Sequence, residues 1–169
     1  MVGDPTDEAS DSFEDAFVVL YPKVRSVAYR VLGSVPEAED VASEAMARAL
    51  LRWRRVSRMP HRDAWVFKVT ANLAIDAVRR RRFPPAAPAL VDGGEDAAVL
   101  RLTLATALAA LPRRQREAIV LRHLVGLPER EVAASLGVST NTVKKHLQRG
   151  LGALRIRIGN DEEVPLVLD

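Results

Sequence analysis

Four side chains set at helical steps near the end of the sequence, Asn141, Lys145, Gln148 and Arg149, are suited to one kind of chemistry, the recognition of nucleic acid. Asparagine and glutamine present a donor beside an acceptor and match adenine edges. Lysine reads guanine, and lysine or arginine anchors phosphate. Thr142, Lys144 and His146 flank the four, and the face they make together contains no acid. No bond-making apparatus accompanies them. The chain has no cysteine, no phosphate-binding glycine loop and no nucleophile beside a base. Its three histidines, His61, His123 and His146, are scattered with no partners at ligand spacing, so neither a metal nor a cofactor nor an enzyme is expected.

The elements that must hold those residues are legible around them. Val132, Ala133 and Leu136 form the inward side of a short helix that Gly137 ends. Val138 packs under the turn, Ser139 caps the next helix, and Val143, Leu147 and Leu154 give that helix its own buried stripe. Alanine at 133, glycine four residues later and valine six after that let two helices cross closely, which predicts a helix-turn-helix. With Val143 and Leu147 inward, helical geometry turns Asn141, Lys145, Gln148 and Arg149 outward.

A second set lies upstream. "DAWVFKVTANLAIDAVRRRRF" predicts a helix from about Asp63 to Arg82 that buries Val66, Thr70, Leu73, Ala77 and Val78 and turns Lys68, Asn72, Asp76 and Arg79 the other way. Its closing arginines also suit the negative end of a helix dipole. Trp53 and Trp65 flank a basic loop, "RRVSRMPHRD", where aromatic rings beside cations could stack on unpaired bases or could simply belong to the core.

Charge is segregated along the chain. Residues 1–50 carry 4 basic and 10 acidic side chains, residues 51–82 carry 10 and 2, and residues 100–158 carry 11 and 3. Two basic blocks separated by an acidic stretch suggest two footprints on a polyanion. Apolar periodicity is helical almost throughout. Phe13, Phe17, Leu20, Val24, Val27 and Val31 share a face, and Pro22 predicts a break into two helices there. Ser34, Pro36 and Glu37 announce a further helix with Val41, Ala45, Ala49 and Trp53 inward. "FPPAAPALVDGGED" reads as a linker, with helical pattern resuming near Ala98. The expected fold is all-α, with two small helical domains joined by a flexible linker. Residues 1–12 are expected to be disordered, 13–82 a first domain, 83–98 the linker, 99–157 the helix-turn-helix domain and 158–169 an acidic tail. The acidic start is unlike a secretory signal, and no apolar run approaches the roughly 18 residues of a membrane span, so a cytoplasmic protein without membrane insertion is expected.

In this order, "AEDVASEAM", "AWVFKVTANLAIDAVRRRR", a Pro/Gly linker and "ALAALPRRQREAIVLRHLVGLPEREVAASLGVSTNTVKKHLQRGLGALR" resemble the extracytoplasmic-function sigma factors of bacterial RNA polymerase, over about residues 13 to 156. The resemblance implies a two-domain initiation factor, not an enzyme. Such a factor binds core polymerase through the clamp of the largest subunit and the flap of the second largest, and it reads and helps to open promoter DNA. Glu39, Asp40 and Glu44, with Ser43 between them, match the helix that docks on the clamp. Asn72, Asp76, Arg79 and Arg80 match the helix that faces the downstream (minus-ten) element, and Lys68, on the same outward side, is counted with them as a DNA-binding residue. The loop from Val56 to Arg62, including Arg58 and His61, matches the segment that captures a base flipped from it. Lys144, Lys145, His146, Gln148 and Arg149 match the helix for the upstream (minus-thirty-five) element. Ser43 replaces the usual glutamine and Met46 a common aromatic in the docking helix, and Ala71 replaces a frequent basic residue before Asn72. The family also implies that an anti-sigma factor can act as a partner. A stand-alone helix-turn-helix regulator would share the C-terminal pattern but leave the acidic helix and the second basic block without a role, and a degenerate sigma-like partner-binding protein is suggested only by Ser43 and Ala71.

Overall fold

The computed structural model describes residues 12–80 and 94–159, and every regular element among them is helical. Residues 1–11, 81–93 and 160–169 lie outside the described residues, and with them Arg81, Arg82 and most of the expected terminal segments and linker.

Helix α1, Phe13–Leu32, starts at Ser12, whose Oγ accepts from the Asp15 N–H at 3.1 Å, so Ser12 belongs to the folded part rather than to the expected disordered start. It runs through Pro22 without the expected break. Pro22 faces solvent, and Val18, whose carbonyl would otherwise receive its missing N–H, is itself open to water. The stripe Leu20, Val24, Val27 and Val31 stays buried across the proline. Each such side chain contributes about 1.5–3 kcal/mol, which together outweighs the roughly 3 kcal/mol cost of an internal proline. Phe17, expected inside, lies at the edge of the stripe, more than a third exposed, with its ring stacked on Tyr21 at 4.9 Å.

Helix α2, Val35–Leu51, presents Ala38, Ala42, Ala45 and Ala49, all fully buried, and Met46 to the core; small side chains there let it lie close to α1. Ser34 stands at its N-cap but makes no side-chain cap bond, so the first turn rests on Pro36 instead of the expected capping box. The basic segment read as a loop contains a short helix, α3, Trp53–Val56, before α4, Arg62–Arg80. Helices α1, α2 and α4 enclose a core whose fully buried members include Leu20, Leu32, Met46, Val66 and Ile75.

Helix α5 begins at Gly94, not near Ala98, and ends at Ala109. Helix α6, Arg113–Ile119, continues into a π-helical turn, Val120–Leu124, followed by α7, Glu129–Leu136, and α8, Thr140–Ile158. Ile158, assigned to the tail from sequence, is thus helical. Leu121, Val132 and Val143 are fully buried between these helices. At the crossing of α6 and α8, a Cβ added to Gly150 would stand 2.6 Å from Ile119 Cδ1 and 3.3 Å from Gln115 Cβ, so any side chain there would have to displace the tip of Ile119 and press on Gln115. The two groups of helices also pack on each other, α5 lying on α4 and, at its far end, against α8.

Candidate nucleic-acid interface

The helix-turn-helix is built by local contacts. Gly137 ends α7 at φ 66, the left-handed value that only glycine adopts freely, and the Val138 N–H donates back to the Ala133 carbonyl at 3.1 Å. Ser139 then caps α8, its Oγ accepting from the Thr142 N–H at 3.1 Å and lying 2.9 Å from the Thr142 hydroxyl. Thr142 is therefore half-buried in the cap rather than open on the flank. With Val143 and Leu147 seated inward, Asn141, Lys144, Lys145, Gln148 and Arg149 are exposed and His146 is half-buried. Lys144 leans toward Glu129 on α7, 4.0 Å away. The row left facing solvent carries amide and cationic groups and no carboxylate, which fits phosphate and base edges.

On α4 the expected set divides. Asp76, Arg79 and Arg80 are exposed, with Arg79 Nη1 3.5 Å from Asp76 Oδ1. Lys68 and Asn72 are half-covered, because α5, the π-helical turn and α7 pack along the side of α4 that sequence reading left open. Burial lowers the pKa of Lys68; nearby Glu117 opposes the shift, while Arg114 and Arg113 add to it. Ala71 is buried, so the residue that departs from the family pattern is a packing residue here. Arg58 and His61 are exposed on the turns between α3 and α4. Arg62 sits over the Trp53 ring at 5.7 Å, and Trp53 meets Phe13 edge-on at 5.3 Å. Both tryptophans are half-buried against the core, which leaves neither ring fully open to a base.

His61 and Arg62 open into a cleft of about 1090 Å³. Its near wall is Lys23, Ser26 and Arg30 of α1, and its far wall is Leu124, Val125 and Leu127 of the C-terminal group. The acidic residues lie elsewhere. Glu39, Asp40, Ser43 and Glu44 are all exposed on α2; Glu39 pairs with Arg25 at 3.2 Å and Glu44 with Arg48 at 2.7 Å. Beside them, Val41, Leu73 and Ala77 floor a shallow groove of about 400 Å³ edged by Asp40, Glu44 and Arg80. Met46 is fully buried, so its departure from the family's aromatic concerns the core rather than the docking face.

Sequence reasoning missed a buried acid. Glu117 is 4% exposed and holds Arg113 at 2.8 Å and Arg114 at 3.3 Å; the i, i+3 and i+4 spacing was the available signal. It also missed Arg30 and Arg101, for which no local pattern gave notice. Among the described residues, no cluster of histidine and carboxylate side chains could hold a metal ion, and no helix is long and apolar enough to cross a membrane.

The family model for sigma-70 region 2 matches residues 16–83, and that for sigma-70 region 4 matches residues 101–154. The ECF RNA polymerase sigma factor SigW of Bacillus subtilis is 30% identical over 164 residues, covering 86% of this chain and 88% of SigW. The RNA polymerase sigma-E factor of Streptomyces coelicolor is 31% identical over 135 residues, covering 76% and 75%. Among solved structures, the sigma factor RpoE of Bartonella quintana, determined in complex with the anti-sigma factor NepR, aligns with a TM-score of 0.52 at 22% identity, over 89% of this chain and 98% of that one. CnrH, determined in complex with the cytosolic domain of CnrY, aligns with a TM-score of 0.53 at 23% identity, over 89% of each chain. At these identities the solved structures speak for the fold, while the relatives and the two region models speak for the family. The chain belongs to the extracytoplasmic-function sigma factors, the transcription-initiation subunits that direct RNA polymerase to promoters.

Proposed function

We propose that the chain docks on core polymerase through the α2 face of Glu39, Asp40, Ser43 and Glu44, against the clamp of the largest subunit. It then reads the promoter at two elements. Lys145, Gln148, Arg149 and Asn141 of α8, flanked by Lys144 and His146, meet the upstream element, while the C-terminal domain rests on the flap of the second-largest subunit. Asn72, Asp76, Arg79 and Arg80 of α4, with Lys68, face the downstream element, and the turns carrying Arg58 and His61 hold a base flipped from it. Unstacking that base costs a few kcal/mol, which the polar and aromatic surroundings of the turn would have to offset.

The working units in this reading are residues 13–82, extended to Ser12, and the helix-turn-helix unit through Ile158. An anti-sigma protein is a natural regulator, as it is for RpoE of Bartonella quintana. The observation that supports the reading best is the separation of surfaces, with Glu39, Asp40 and Glu44 outward on α2 and cations and amides outward on α8.

Run-off transcription on genomic fragments with purified bacterial core polymerase tests it. Specific transcripts are expected only when the protein is added, and their start sites would give both promoter elements. Glu39→Arg with Asp40→Arg is expected to abolish association with core while circular dichroism stays unchanged. Retained co-elution of that variant with core would place docking elsewhere.

A further inference from the structure

Helix α5 lacks the charged outer face that the other long helices have. Between Val99 and Ala110 the chain carries one charged side chain, Arg101, and its guanidinium lies against Gly33 at the end of α1, so closely that a Cβ on the glycine would overlap it. Ala105 and Leu108 are buried in the core. On the opposite side Val99, Thr103, Thr106 and Ala110, at steps of four, three and four, make a second stripe without charge, and Val99 is 59% exposed. The Thr103 hydroxyl donates to the Val99 carbonyl at 3.0 Å, so it is satisfied within the helix itself. A helix at the surface turns polar side chains outward, whereas one that is apolar all round is covered on both sides.

Beside this stripe the last turn of α8 leaves a shallow groove of about 400 Å³, lined by Leu102, Thr103, Thr106, Ala107, Ala110 and Arg157. Arg155 and Arg157 are exposed at its edge, and Ile156 between them is 82% exposed. The stripe is about 16 Å long and about 10 Å wide, the width of one helix. That is roughly 160 Å² in outline, far short of the roughly 800 Å² that each partner buries in a stable interface, so a second copy of the chain is a poor occupant.

The chain itself supplies an occupant of the right size. Helix α8 ends at Ile158, and Gly159 follows at φ 97, two residues after the arginine that lines the groove. Residues 160–169, "NDEEVPLVLD", carry Asp161, Glu162 and Glu163 and then the apolar run "VPLVL". Residues 160–163 can reach about 13 Å, enough to turn back past Arg155 and Arg157 with acids beside cations. Residues 164–168 extend over about 17 Å, the length of the stripe. Pro165 holds its own φ and the residue before it in the extended range. In that form Val164, Leu166 and Leu168 fall on one side.

We infer that residues 164–168 lie extended along the outer stripe of α5, with Leu166 and Leu168 in the groove beside Arg157, and strap α5 to the end of α8. The three acids before them pair with Arg155 and Arg157 and set the direction of the return. A partner that uses the outer face of α5 has to displace the strap first. Neither the promoter-reading faces nor the polymerase-docking face proposed above enters into this seat.

The chain has no cysteine, so Asp169→Cys gives the full chain a single thiol for a nitroxide label, whose reach is read from paramagnetic broadening of backbone amide NMR signals. Amides of residues 102–110 are expected to lose most of their intensity, while those of residues 141–145, at the other end of α8, keep theirs. Leu166→Asp with Leu168→Asp, added to the labelled chain, should confine the loss to the residues around Gly159. Thr106→Asp, which sets a charge in the groove and repels the acids, should do the same from the other side. Full intensity along α5 in the labelled chain, or a loss that the aspartates leave unchanged, overturns the strap. Broadening that passes, in an equal mixture, from nitroxide-labelled chains to isotope-labelled chains without the nitroxide also overturns it, because the stripe would then join two copies.

Discussion

Helices α4 and α8 both carry cations and amides at helical spacing, yet they are positioned by different means. The seat of α8 is local: within the stretch from Val132 to Leu147, a glycine turn, a serine cap and two apolar pairs fix which side is buried. The seat of α4 is made by distant chain, with α1 and α2 on one side and α5, the π-helical turn and α7 on the other. A face determined by neighbours in sequence can be read from sequence. One that is closed by chain arriving from elsewhere cannot, and that is why α8 keeps its whole row open while α4 shares Lys68 and Asn72.

The largest test of this contrast is at the crossing beneath α8. Gly150→Leu would force a side chain against Ile119 and Gln115, and a loss of about 1–3 kcal/mol is expected, as for other overpacked cores. Amide hydrogen exchange should show lost protection across α6 to α8 with α1 and α2 retained. If both groups lose protection together, they form one cooperative unit and the contrast between a locally and a remotely built surface collapses.

A smaller effect separates the two reading faces themselves. Lys145→Ala should weaken binding to a promoter duplex carrying both elements about tenfold, or about 1.4 kcal/mol, and lower the salt slope by about 1, as for one lost phosphate or base contact. Lys68→Ala, at a half-covered cation, should cost roughly twofold or less. Equal losses for the two lysines in the wild type, measured by fluorescence anisotropy, would mean that α4 is as open as α8.

How much was legible follows the same division. The all-helical class, the helix-turn-helix and every buried residue named for it came from spacing, because Gly137, Ser139 and Val143 act on residues a turn or two away. Pro22 misled because a local rule met a stronger stripe on both sides of it. Ser34 matched a capping pattern, but it is buried and its side chain makes no cap bond. The start of α5 at Gly94 was hidden by the neighbouring glycines and prolines, which carry no apolar period. Arg101 and Gly33 are far apart in sequence, and nothing near either residue indicates that one will lie on the other.

The smallest effect sharpens the comparison by pH. His123 lies in the π-helical turn that closes over α4, half-buried, and its pKa is lowered from the usual 6.5, chiefly by burial and further by the charge of Arg122. The folded chain therefore holds this proton less tightly than the unfolded chain. Well above pH 6.5 the imidazole is neutral in both states and costs nothing. As the pH falls through 6.5 the unfolded chain takes up the proton first, and stability declines until the folded histidine titrates as well. Partial exposure keeps the effect small. Amides of the π-helical turn and α7 should thus exchange faster at pH 5.5 than at pH 7.5 after correction for intrinsic rates, and His123→Gln should flatten that dependence. If the variant keeps the full pH dependence, the acid sensitivity belongs to other groups, and the turn over α4 is not where the C-terminal domain first loosens.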